Sequence, residues 1–377
     1  MLSFLKINRA LLVAVVVAAT ALLPGPAAAA AGTVTELAHG FDNPRGVAFL
    51  HGRLLVGEAG HGGTNACFVP VGGPGTICVG FTSRISTVEA GRHRPTPLVT
   101  GLFSISLGAE GVLGVGGLSV QDDGGILAIL GANPQALAGF TCATAACQQT
   151  INKAMHQAGH LISAKTNGDW RSLASVGAFD YEYTKTLPPP TEIDANPYGV
   201  LAFEHGALVA DAGANTLDWV GNGGAVSVVT HFQRFDPNTF PTDAVPTCVV
   251  RAGGALWVAD LSGRLFRMTG STATQVAVPF ITHVTNCTTD GQGHIFLINM
   301  WDTATQPSFP SPFTGSVVKF NTASGTASVL ASHLNFPNMG AVGPDGNLYV
   351  SANSVCPATG VPGLCPQGGT VLRIRLS

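Results

Sequence analysis

Six times along the chain a short apolar stretch runs into a glycine-containing turn and out into a second apolar stretch. Residues 43–49 lead through His51-Gly52 into 54–58, and residues 117–120 lead through Asp122-Asp123-Gly124-Gly125 into 126–129. Asn196-Pro197-Tyr198-Gly199-Val200 opens the third unit, which turns at His205-Gly206 and ends on Leu208-Val209-Ala210-Asp211. The fourth runs from Pro246 through Gly253-Gly254 to Asp260, the fifth from Asn286 through residues 290–293 to Asn299, and the sixth from Asn338 through Pro344-Asp345-Gly346 to Ser351. Each unit reads as a β-hairpin, because glycine supplies the positive φ that tight turns need. Two more strands follow in most units, as at 315–320 and 327–331. Four strands recurring at roughly 40–50 residues are the signature of propeller blades.

The fold class is therefore all-β: a six-bladed β-propeller of four-stranded blades. The last unit has only a third strand, residues 370–375, whereas residues 33–38 have the character of a fourth strand and stand before the first hairpin. The N-terminal strand is expected to complete the last blade, which removes two sheet edges that would otherwise invite aggregation. Gly46, Gly199 and Gly340 fall inside first strands, where neighbouring blades crowd the channel, and the run Gly114-Val115-Gly116-Gly117 belongs with them. No long helix follows that run, so it is not a dinucleotide fingerprint. Two insertions stand out: residues 136–157, expected to be partly helical, and residues 180–190, expected to be a stiff loop.

With 48 glycines, 24 prolines and 46% hydrophobic residues, the composition suits many turns between buried strands rather than disorder. The net charge of −3 carries no basic or acidic block, which argues against nucleic acid as a partner. Residues 1–31 have the form of a signal peptide. Lys6 and Arg9 precede an apolar run from 10 to 23, then Pro24-Gly25-Pro26, then small residues suited to a signal peptidase. The run is short against the roughly 20 residues of a membrane span. Residues 32–377 then form one propeller domain, secreted, with no stable membrane span, and expected to be monomeric. All eight cysteines lie beyond residue 31 and no Cys-x-x-Cys occurs, so disulfides are expected rather than zinc. Nearness in sequence pairs Cys67 with Cys78, Cys142 with Cys147 and Cys356 with Cys365. Cys248 and Cys287 remain, at nearly equivalent first-strand positions of adjacent blades.

Residues 194–199 with Leu208-Val209-Ala210-Asp211-Ala212-Gly213-Ala214-Asn215 resemble the ScyD/ScyE family of exported bacterial proteins. So do residues 41–46 with 56–60, and Val245-Pro246-Thr247 with 346–350. The resemblance spans nearly the whole mature chain, and single hairpins such as 256–260 are similar to the NHL repeat. It implies a propeller, export and no well-established activity. Some members are associated with a pathway that makes an extracellular sunscreen pigment. Cys248 departs from the family pattern and suggests a disulfide peculiar to a subset of members.

Catalytic signatures are sparse. No Gly-x-Ser-x-Gly occurs, and Trp301-Asp302 does not recur from blade to blade. His51, His205 and His294 fall in or beside hairpin turns. His156 and His160 have i,i+4 spacing but lack the glutamate of a metalloprotease helix. One polar set is conspicuous. Glu58, Asp211, Asp260, Asn299 and Asn353 end second strands, while Asn43, Asn196, Asn286 and Asn338 begin first strands. Antiparallel pairing brings both sets to one end of the ring. They are the candidate ligand-binding residues, with Glu58 and Asp211 as candidate ligands to a hard cation such as Ca²⁺, and Arg45 as the donor that would replace the metal in the first blade. The plainer reading is that such residues bond local backbone amides.

These readings favour a secreted binding or scaffold protein whose partner is a small molecule, a glycan or an extracellular protein. The alternative is a metal-dependent hydrolase or lactonase with its site at the channel mouth. A quinone-dependent sugar dehydrogenase is more distant.

Overall fold

The computed structural model describes residues 32–376 except 71–74, 90, 109–110, 234–240 and 303–310; the expected signal peptide lies outside the described residues. The described residues form six blades. The first strands are Pro44–Leu50, Val115–Val120, Pro197–Phe203, Pro246–Ala252, Val284–Thr289 and Gly340–Val342. Each packs on the next around an axis, and the sixth returns to the first. All six hairpins read from the sequence are the inner halves of blades, with the remaining strands outside them.

The ring closes as expected. Val34–Phe41 is the outermost strand of blade 6 and runs antiparallel to Gly369–Ile374, from Val34↔Ile374 to Phe41↔Gly369. Blade 1 is the irregular one. Its third and fourth strands, Ile77–Val88 and Pro95–Leu107, are long, and their extensions pair with Ala66–Phe68 and Val112–Leu113. Leu55, Ile85 and Ile126 lie in one fully buried cluster, and Trp257, Val284 and Phe320 in another. A blade, apolar on both faces, cannot stand alone and needs its neighbours.

The insertion after the second hairpin holds two helices, α1 (Pro134–Ala138) and α2 (Ala145–Met155), capped by the side chains of Asn133 and Thr144. The expectation of a stiff loop from residue 180 is corrected. Residues 180–183 belong to α3 (Val176–Thr184), which buries Val176, Asp180 and Thr184 at four-residue spacing, with Gly177 beside them. The i,i+4 reading of His156 and His160 also fails: His156 caps α2, and His160 starts the strand His160–Ala164, where it bonds Ser172.

All four expected disulfides are present. Cys67–Cys78 joins directly opposed residues of two strands. Cys248–Cys287 ties the first strands of blades 4 and 5 with a Cα separation of 5.7 Å. It encloses the longest loop of the four and so constrains the unfolded chain most.

Gly46 shows why small residues line the channel. A Cβ there would stand 2.6 Å from the Gly116 carbonyl oxygen and 2.8 Å from the Leu118 amide nitrogen, both in the next blade. Gly46→Ala is expected to cost about 1–3 kcal/mol in urea unfolding, as overpacking of a tight core does. Gly223→Ala, where a Cβ meets nothing within 4 Å, should stay within about 0.5 kcal/mol of the parent. Equal stability of the two variants would contradict this account of the inner ring.

Candidate functional site

The first strand of a blade begins where its second strand ends, as in Pro44↔Glu58, Pro197↔Asp211, Pro246↔Asp260 and Val284↔Asn299. In blades 1 to 5 the register slips just inside this point. A bulge at a strand start re-aims the residue it leaves unpaired. Tyr198, Thr247 and Thr285 are the single extra residues in blades 3, 4 and 5, and Arg45-Gly46 and Gly116-Gly117 are the corresponding pairs in blades 1 and 2. These residues form one layer at the head of the channel. Thr247 Oγ1 donates to the Val284 carbonyl at 2.8 Å, and Thr285 Oγ1 to the Asn338 carbonyl at 2.7 Å, linking blade to blade. The Tyr198 hydroxyl donates to Asn338 Oδ1 at 2.8 Å, from blade 3 to blade 6 opposite it. Below this layer the channel holds a cavity of about 210 Å³, walled by Val47, Gly199, Val249, Asn286, Met339 and their neighbours.

The nine candidate residues lie at this end of the blades, and most are committed locally. Glu58, fully buried, receives Nε and Nη2 of Arg84, each at 2.7 Å, with the Asp42 amide at 2.7 Å and the Ser86 hydroxyl. The expectation that Arg45 partners Glu58 is therefore corrected: Arg84, in the third strand of blade 1, does so, and the pairing raises its pKa. Asp211 Oδ1 accepts the amides of Asn196, Gly213 and Ala214 at 2.7–2.9 Å. Asp260 is held by Arg264 Nε at 2.8 Å and the Ser262 hydroxyl at 2.8 Å. Asn299 accepts the Thr282 amide and donates to the Phe280 carbonyl and Ser316. Asn43 donates to the Gly60 carbonyl, Asn196 accepts the Ala132 amide, and Asn353 accepts from Asn335. Asn286 accepts the Gly340 amide from the neighbouring blade and borders the cavity; Asn338 holds Tyr198. Glu58 and Asp211 stand in different blades. Among the described residues no three His, Cys, Asp or Glu groups are arranged to hold a metal ion.

The polar cluster that sequence reasoning missed lies under α3. Asp180, Asp211 and Asp218 are each fully buried. Both Asp180 oxygens, Asp211 Oδ2 and Asp218 Oδ1 meet no N–H or O–H group of the protein. Instead the carboxyls act on one another, the charges of Asp211 and Asp218 bearing on Asp180. Buried carboxyls set together cannot all ionise, so a proton is retained among them. Burial, then the charges of Asp211 and Asp218, push Asp180 up to about 12. Burial pushes Asp218 up to about 8 against the Thr216 hydroxyl, which donates to it at 2.7 Å, and raises Asp211 despite its three amides. Tyr183 borders the trio and meets His231 edge-on; burial lowers His231, and burial, then the charges of Asp218 and Asp180, raise Tyr183. The available signal was an acid in the apolar third strand, Thr216-Leu217-Asp218-Trp219.

A carboxyl whose pKa is raised on folding binds its proton more tightly in the native state. Its contribution is therefore fully present below the unfolded value near 3.8 and is lost as pH rises toward the folded value. Asp180→Asn keeps a donor for Asp211 and Asp218 without a titrating proton. It should raise the melting temperature at pH 8, with the advantage shrinking steadily toward pH 5. A parent and variant whose difference does not change with pH would contradict a proton retained among the three carboxyls.

No family model matches the chain, and no curated protein matches its sequence. A solved protein of unknown function from Bacteroides thetaiotaomicron superposes with a TM-score of 0.54 at 8% identity, over 91% of this chain and 76% of that one. A virginiamycin B lyase from Staphylococcus aureus gives 0.47 at 11% identity, over 92% of this chain and 99% of that one. A gluconolactonase from Xanthomonas campestris gives 0.49 at 9% identity, over 91% and 89%. The first of these is a likeness of fold alone, and the chain's own sheets make it a six-bladed β-propeller.

Proposed function

We propose that the protein is an extracytoplasmic binding propeller that holds a small molecule, glycan or protein partner on the ring face where first strands begin, and that it belongs with the ScyD/ScyE proteins. The observation that carries the binding reading is the commitment of the strand-end carboxylates. Glu58 is neutralised by Arg84 and Asp260 by Arg264, while Asp211 is spent on three amides and its carboxyl neighbours. A hydrolase that polarised its substrate with a hard cation at this mouth would need such oxygens free. What the face offers instead is the Arg45 guanidinium, the Tyr198 phenol and the Asn338 side-chain amide beside a shaped channel, which suits recognition. Four disulfides fit an oxidising compartment. No helix among the described residues is long and apolar enough to cross a membrane.

Metal analysis and thermal unfolding of the purified mature chain test this reading against the hydrolase alternative. The expected result is well under one divalent ion per chain and a melting temperature indifferent to millimolar Ca²⁺ or chelator. Glu58→Gln should destabilise by about 3 kcal/mol, because it strands Arg84 beside a buried neutral amide. One ion per chain, with a Ca²⁺-dependent rise that Glu58→Gln and Asp211→Asn both lose, would replace the binding reading with the metal-dependent one.

A further inference from the structure

The head of the channel holds a charge with no counter-charge among the described residues. The Arg45 guanidinium, largely withdrawn from water, makes one hydrogen bond to protein, from Nη2 to the Val112 carbonyl at 3.3 Å. It forms no ion pair among the described residues, whereas Arg84, Arg264 and Arg373 each hold a carboxylate. Burial pulls its pKa down, as desolvating an uncompensated cation must. Two further polar groups stand beside it. Burial raises the pKa of the Tyr198 phenol, which is close enough for the Arg45 charge to oppose that rise. Its hydroxyl ends on Asn338 Oδ1, and the Asn338 side-chain amide donates to no protein group among the described residues. Ser351 joins the two strands concerned: its hydroxyl donates to the Arg45 carbonyl at 2.7 Å, and its carbonyl accepts the Asn338 amide at 2.8 Å. A phenol and a carboxamide from blades 3 and 6 thus meet at the channel head, and the guanidinium of blade 1, whose backbone Ser351 ties to the strand start of blade 6, stands near enough for its charge to act on the phenol. Gly116, between Arg45 and Tyr198 in ring order, leaves that side without a side chain.

We propose that Arg45, Tyr198 and Asn338 form an anion-binding position at the channel head that takes the carboxylate of a small ligand. The inference rests on the binding reading and names the chemistry of its ligand. A planar fork matches a carboxylate in two parallel hydrogen bonds. One guanidinium balances one negative charge, so a monoanion fits better than a phosphate dianion. The hydroxyl of Tyr198 can turn from Asn338 to the incoming oxygen, and the freed Asn338 amide can donate to the same group. Because the three donors are fixed by three separate blades, the position is already organised before the ligand arrives.

Isothermal titration of the full mature chain with a series of monocarboxylates from acetate to benzoate, each paired with its uncharged amide, tests the proposal. At least one acid should saturate with a dissociation constant of about 1 mM or tighter, and its amide should bind at least about 10-fold more weakly. Arg45→Met should remove binding of the acid. Arg45→Lys keeps the charge, loses the fork and guards against a folding defect in the first variant; it should weaken the acid about 10-fold. Tyr198→Phe should weaken it by a smaller factor while leaving the fold intact. The proposal is overturned if no acid saturates, if acid and amide bind alike, or if both Arg45 variants retain the parent affinity. Any of these would leave the binding reading standing, since that reading falls on resident metal and not on carboxylate affinity.

Discussion

The antiparallel pairing of Val34–Phe41 with Gly369–Ile374 decides whether the six blades form a ring or an open fan. Each blade face is covered only by its neighbours, so an unclosed fan would leave apolar faces and two strand edges in water. Once the ring is shut, the first strands are forced together around the axis, and the rest follows from that crowding. Gly46 and Gly117 allow neighbouring backbones to touch. Cys248 and Cys287 come close enough to bond. The register slips at the strand starts turn Arg45, Tyr198, Thr247 and Thr285 into a single layer. The Tyr198–Asn338 hydrogen bond joins opposite blades and exists only in a closed ring.

The polar groups near that layer fall into three kinds. Glu58, Asp211 and Asp260 make the corners of their blades, each absorbing amides or a guanidinium at the point where one strand leaves and another enters. Such bonds satisfy backbone donors that water cannot reach. Arg45 is different, since no corner uses its charge and no carboxylate faces it among the described residues. The Asp180–Asp211–Asp218 trio is a third case, in which α3 buries a carboxyl against two carboxyls of blade 3 rather than against an opposite charge.

The blade count, the closing strand and the four disulfides were legible because each has a mark in the sequence: a glycine turn, a missing fourth strand, a short cysteine spacing for three disulfides and equivalent first-strand positions for Cys248 and Cys287. The placement of strand-end polar residues at one end was equally legible, since antiparallel pairing dictates it. Their roles were not. Arg84 lies 26 residues beyond Glu58, across an inserted strand, and nothing local distinguishes it from Arg45 as a partner. Helix α3 hides because its buried face is built partly of Gly177, Asp180 and Thr184, so its apolar period is broken where it packs. The meeting of Arg45 with Tyr198 and Asn338 depends on which blades end up adjacent or opposite, which only the closed ring determines.

Native-state hydrogen exchange on residues 34–41 tests that closure most directly. The account predicts that the amides of Val34–Phe41 that pair with Gly369–Ile374 exchange as slowly as their partners and open together with them, as one cooperative unit does. Rapid exchange of the N-terminal strand, with blade 6 otherwise protected, would show that the ring holds without it and would contradict the central claim.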